Sequence, residues 1–167
     1  MSLKIYLNIL KIGAYLSFLS VFLVFKNLLF PFITSKQIFF NILVEILMVV
    51  WLALIIKYPE VRPKKSWITF GLATFFTALF ISSVFGVDFN LSFWGDIERM
   101  LGLFHAAHFF LFYLIVITVF RDARDWRNLL IASVIAGVGI SLYALLKIPY
   151  STIGNTAYVS GYAIFNI

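Results

Sequence analysis

The chain has no cysteine, which excludes disulfides and thiolate metal sites and leaves no redox signal of compartment. Charge is scarce too: Asp, Glu, Lys and Arg make up 12% of the 167 residues, about half of what an ordinary soluble domain carries. Hydrophobic residues reach 63% and mean hydropathy is +1.03. A chain this apolar is an integral membrane protein with the lipid bilayer as its first partner. Neither an internal repeat nor a low-complexity linker divides it, so 1–167 reads as a single transmembrane helical domain.

Uncharged stretches mark the expected spans. They are Ile12 to Phe25, lengthened by the snorkelling stems of Lys11 and Lys26, then Ile38 to Ile56, Trp67 to Val87, Met100 to Phe120 and Asn128 to Leu146. Only Glu45 interrupts the second. A helix satisfies its own backbone in lipid, so the expected class is all-α, a polytopic transmembrane bundle. Lys4 and Lys11 resemble the basic head of a signal peptide, but no small-x-small cleavage site follows Phe25. "KIPYSTIGNTAY" is turn-rich and reads as a loop. Tyr158 to Ile167 would rise only about 15 Å as a helix, roughly half the hydrocarbon thickness. The expectation is five complete spans plus a truncated sixth, the amino-terminal portion of a longer chain.

A formal net charge of +6 raises the question of nucleic acid. The positions of the basic residues answer it. Lys4, Lys11, Lys57, Arg62, Lys64, Lys65, Arg121, Arg124 and Arg127 fall on one side of the expected bundle, and Lys26, Lys36, Arg99 and Lys147 on the other. By the positive-inside rule the amino terminus is cytoplasmic, and the basic residues serve as topology signals, with no nucleic acid as a partner. Trp67, Trp94 and Trp126 stand at expected span ends, where an amphipathic ring is comfortable.

The stretch "NLSFWGDIERMLGLFHAAHFF" gathers ionisable groups at the external lip of the fourth span. Asp96 is the expected helix cap, with Asp96 and Glu98 complementing the positive end of the helix dipole. Arg99 is disfavoured there and needs a partner, either one of these carboxylates or an anionic ligand whose oxygens match a guanidinium fork. Glu98, Gly102 and His105 share one expected helix face, with His108 displaced by about 60°. Gly102 would allow close approach of a helix or a ligand. His105 and His108 suit hydrogen-bonded packing, proton transfer or phosphate contact; metal lacks a further ligand at fixed spacing. Glu45 lies about 10 Å below the external end of the second span. A carboxyl at that depth needs a proton or a partner, and Lys26, Lys36, Arg99 or a histidine are the available ones.

Three blocks together resemble the O-antigen ligase-like polytopic membrane proteins of bacteria: "FPFITSKQIFFNILVEILMVVWLALI", then "YPEVRPKKS" with "SVFGVDFNLSFWGDIERMLGLFHAAHFFLFY", and finally "TIGNTAYVSGYAIFN". The resemblance implies a GT-C-like glycosyltransferase of the inner membrane without metal or other cofactor. It would move a finished glycan from undecaprenyl pyrophosphate to an acceptor hydroxyl on lipid or protein. It also implies contact of Arg99 with the anionic carrier, places Glu45 in a matching "ILVEI" run, and leaves His105, Lys26 and Lys36 as further substrate-binding candidates. Family members carry their essential histidine and arginine in a large late external loop that these residues do not contain, so no catalytic residue is assigned. Two other readings stay open: a proton or ion path through Glu45, His105 and His108, and a noncatalytic helical subunit whose polar groups join helices.

Overall fold

The computed structural model describes residues 2–24, 31–64, 66–96 and 101–154, and these are helical nearly throughout, with no strand among them. The elements are α1 (Leu3–Leu16), α2 (Pro31–Lys57), α3 (Trp67–Val84), α4 (Phe89–Trp94), α5 (Leu103–Val119) and α6 (Ala123–Gly154). Four stretches are long and apolar enough to cross a membrane: Leu3–Phe22, Ile33–Lys57, Trp67–Val84 and Ala123–Leu146. α5 is apolar but has 17 residues, a rise of about 25 Å.

The first crossing begins earlier than charge alone suggests. Leu10, Gly13, Ala14 and Ser17 recur at helical spacing and are buried, while Lys4 and Asn8 stay exposed. Leu3, Tyr6 and Leu7, partly buried against the core, continue the inward face back to the helix start at Leu3, and a 3₁₀ segment, Ser17–Phe22, completes the length. Lys11 therefore sits inside the helix instead of flanking it. Its ammonium reaches Asp125 of α6 at 2.7 Å. Gly13 is where α1 meets α2 closely: a β-carbon there would run into the Leu47 side chain.

α2 is the central element. Val44, Leu47, Trp51 and Leu54 are buried along it, and α1 and α5 pack against it. It also extends past the expected start at Ile38, because polar Ser35 and Gln37 are buried in its first turns and do not end it. α5 runs in the same direction as α2, since Asn41, Glu45 and Trp51 meet His105, His108 and Thr118 in turn. α3 packs on the other side of α5, with Thr69 bonded to Tyr113 at 2.9 Å and Phe76 stacked on Phe110. No residue of α3 is buried. Exposed apolar helix surface costs nothing where the surroundings are lipid tails.

One end of the bundle gathers the termini of several helices. Tyr6 packs on Tyr58, and Arg121, just past α5, donates to the carbonyls of Thr118, Val61 and Arg62. The opposite end is closed by α4, capped by Asp88 accepting from the Leu91 amide at 3.0 Å. α6 departs from the sequence reading, as its helix passes through Pro149 to Gly154 where a loop is expected. Proline's φ fits a helix, so the passage gives up one backbone hydrogen bond. Tyr158 to Ile167 lies outside the described residues.

Candidate intramembrane polar site

Asn41 and Glu45 are four residues apart on α2 and so share a face. Opposite them stand His105 and His108, both from the first two turns of α5. His105 Nδ1 meets Asn41 Oδ1 at 2.8 Å, and His108 Nε2 meets Glu45 Oε1 at 3.2 Å. His108 Nδ1 donates to the Phe104 carbonyl one turn back, at 2.7 Å. The histidine at the end of each bridge is buried, and the Glu45 side chain is 54% exposed.

Aromatic rings wall these groups. Phe40 and Phe109 lie edge-on to His105, with centroids at 6.0 and 4.7 Å, and Phe104 covers His108 at 4.5 Å. Phe93 and Trp94 of α4 pack in turn on Phe104. The rings keep the bridges apolar on their flanks, which strengthens each hydrogen bond and makes any unpaired polar atom expensive. Beside this seam, an apolar cleft of about 290 Å³ lies between α3 and α5, lined by Phe75, Phe76, Leu79, Ala106, Phe109 and Tyr113 among others.

The expected cap at Asp96 is not the one observed. α5 starts at Leu103 with Gly102 as its N-cap, and Asp96 is exposed ahead of it. Gly102 lies directly against the Phe93 carbonyl and the Trp94–Gly95 backbone, where any β-carbon would overlap them, and Gly95 turns with φ of 82° to bring α4 there. The close approach expected at Gly102 is thus made by α4. Gly102 is the N-cap and so stands outside the helix that carries His105; Glu98, the third member of the expected face, falls outside the described residues.

Of the site candidates, Glu45 and His105 are brought to one seam, 45 through His108 and 105 through Asn41. Measured from the helix ends, Glu45 is deeper than expected, midway along Ile33–Lys57, because α2 begins earlier. Lys36 is partly buried on α2, but nine residues of helix rotate it to the face opposite Glu45. It is not the carboxylate's partner. Arg99 and Lys26 lie outside the described residues. Asn41 was not among the candidates; its signal was an amide four residues before Glu45 in an otherwise apolar run. Among the described residues no three of His, Asp and Glu converge as metal ligands do. No family model matches the chain, and no curated protein or solved structure does either.

Proposed function

We propose that the chain belongs to a membrane glycosyltransferase of the O-antigen ligase-like kind, and that its part is to hold a polyprenyl-diphosphate-linked glycan in the bilayer. The observation that carries the reading is the α2–α5 seam. Glu45 and His105, which stand in the blocks that resemble those ligases, lie in neighbouring bridges between the two helices, Glu45 bonded to His108 and His105 to Asn41, and His105 closes the segment Ser92 to His105 that contains Arg99. Ionisable groups inside a membrane bundle are costly and mark substrate paths by default.

The chemistry asks for what this end of the chain holds. A hydroxyl attacks the anomeric carbon, and the diphosphate leaves with growing negative charge. Arg99 offers that charge a guanidinium fork, Lys26 and Lys36 add cations on the same expected side, and apolar clefts between helices suit a polyprenyl tail. The reading carries with it a GT-C-like bundle in a bacterial inner membrane and a cytoplasmic amino terminus. Binding by the purified chain in nanodiscs tests it. Undecaprenyl diphosphate should be retained over undecaprenol, about tenfold or more weakly by Arg99→Ala and less so by Arg99→Lys, as the loss of one charged contact predicts. Equal retention of alcohol and diphosphate, or by all three proteins, overturns it.

A second reading, a helical scaffold without chemistry, is favoured by the burial of both imidazoles and their bonding to neighbours. It expects His105→Ala to lower stability and leave diphosphate retention unchanged.

A further inference from the structure

The outward side of α2 has a spacing of its own. Ile38, Ile42, Glu45, Val49, Leu52 and Ile56 are all exposed, and they follow one another by alternate steps of four and three residues. That is the spacing of a seam that receives the side chains of a second helix. α1 and α5 occupy other sides of α2, where Leu47 faces Gly13 and Trp51 bonds Thr118.

One member of the outward seam is a carboxyl. Glu45 stands midway along Ile33–Lys57, about 18 Å from either end by helical rise. His108 of α5 meets one of its oxygens at 3.2 Å, yet the side chain remains 54% exposed. Acyl chains offer it no hydrogen-bond donor, and a polar group left to them is expensive at that depth. The outward faces of α3 and α6 differ in this respect. Trp67–Val84 and 128–146 contain no Asp, Glu, Lys or Arg, so lipid tails cover them without cost. The outward face of α2 asks for more than lipid.

We propose that this face of α2 seats a further transmembrane helix, one that presents an N–H or O–H side chain at the level of Glu45. A helix is the form whose backbone needs nothing from its neighbours at mid-membrane. The single polar member then sets the register of the pair, as a lone polar residue does in a coiled-coil seam. A second copy of α2 suits the seam poorly. Copies insert in one direction, so their Glu45 carboxyls would meet at the same depth, acceptor against acceptor. The proposal goes beyond lipid-diphosphate binding and does not rest on it.

Leucine-rich transmembrane peptides serve as probes, one with a single central Asn and one without, each labelled for energy transfer to the chain in vesicles. The Asn peptide should associate about 3- to 17-fold more tightly. Glu45→Leu should remove that preference, and Glu45→Gln, which keeps an acceptor, should retain it. The chain has no cysteine, so the contact can be mapped. Ile42→Cys and Val49→Cys should form disulfides with a cysteine placed one turn from the peptide's Asn, and Leu130→Cys on α6 should not. These cross-links decide the matter if Glu45→Leu fails to fold. Equal binding of the two peptides, a preference that survives Glu45→Leu in a folded chain, or equal cross-linking at Leu130→Cys overturns the proposal. So does a Val49→Cys disulfide between two chains in preference to the peptide, which gives the seam to a second copy. Displacement of the peptide by undecaprenyl diphosphate overturns it too, by giving the seam to the carrier.

Discussion

Gly102 shows how one missing side chain fixes a local fold. Because a β-carbon at this position would overlap backbone atoms, which cannot rotate away, Gly102→Ala should cost about 1–3 kcal/mol, the usual range for overpacking. Gly71 and Gly137 have nothing within 4 Å of where a β-carbon would stand. Alanine there should be neutral or stabilising by up to about 1 kcal/mol, since it is the better helix former. Unfolding of the purified chain in mixed micelles, followed by circular dichroism, separates the two classes; comparable losses at Gly102 and Gly71 would remove the steric account. The need for a small residue at Gly102 was legible in sequence. Its neighbour was not, because α4 reaches it by a turn at Gly95 that periodicity does not describe.

Between elements, polar bridges at separate depths set how α2 and α5 align. Asn41 with His105, Glu45 with His108 and Trp51 with Thr118, the last at 3.0 Å, lie in order along both helices. Sliding one helix past the other would break all three together. In membranes such a bond contributes about 0.6 kcal/mol on average and up to about 1.7. A double-mutant cycle with Trp51→Phe and Thr118→Val should give a coupling in that range, measured by the same micellar unfolding; strict additivity would mean that the bond does not contribute. Glu45 and the histidines stood out in sequence as polar groups in apolar runs. Their pairing did not, because residues some sixty positions apart share no periodicity, and Lys36 was an equally available partner until helix rotation turned it away.

The Lys11–Asp125 contact ties the first helix to the last, with both side chains partly buried at 31% and 23% exposure. Either Lys11→Ala or Asp125→Ala alone should destabilise the chain, and the exchanged pair Lys11→Asp with Asp125→Lys should recover part of the loss. For a partly exposed pair the recovery is about 1 kcal/mol or less. No recovery in the exchange would make the contact incidental to the α1–α6 arrangement.

For the whole molecule, the absence of cysteine makes sidedness directly measurable. Ser2, Asp122 and Asn90 are exposed, and the first two belong to the end where Tyr6 meets Tyr58 and Arg121 meets Val61. Single substitutions Ser2→Cys and Asp122→Cys should label from one face of intact inverted vesicles, and Asn90→Cys from the other. The positive-inside bias further expects the first pair to face the cytoplasm. Labelling of Asn90→Cys from the same face as Asp122→Cys would overturn the alternation of helix directions.

Composition by itself determined that the chain is helical, with runs long and apolar enough to cross a membrane, because lipid leaves the backbone few ways to satisfy its hydrogen bonds and hydropathy records that constraint residue by residue. The positions of α3 and of most of α2 and α6 followed from runs with little or no charge. What only the tertiary structure decided depends on neighbours. The start of α1 at Leu3 goes with Leu3, Tyr6 and Leu7 packing on the core despite two lysines, the close contact of Gly102 is with α4, and the polar seam required α2 and α5 to lie side by side in one register. Hydropathy reports where a segment prefers to be; steric fit and the pairing of polar atoms decide which segment it meets there.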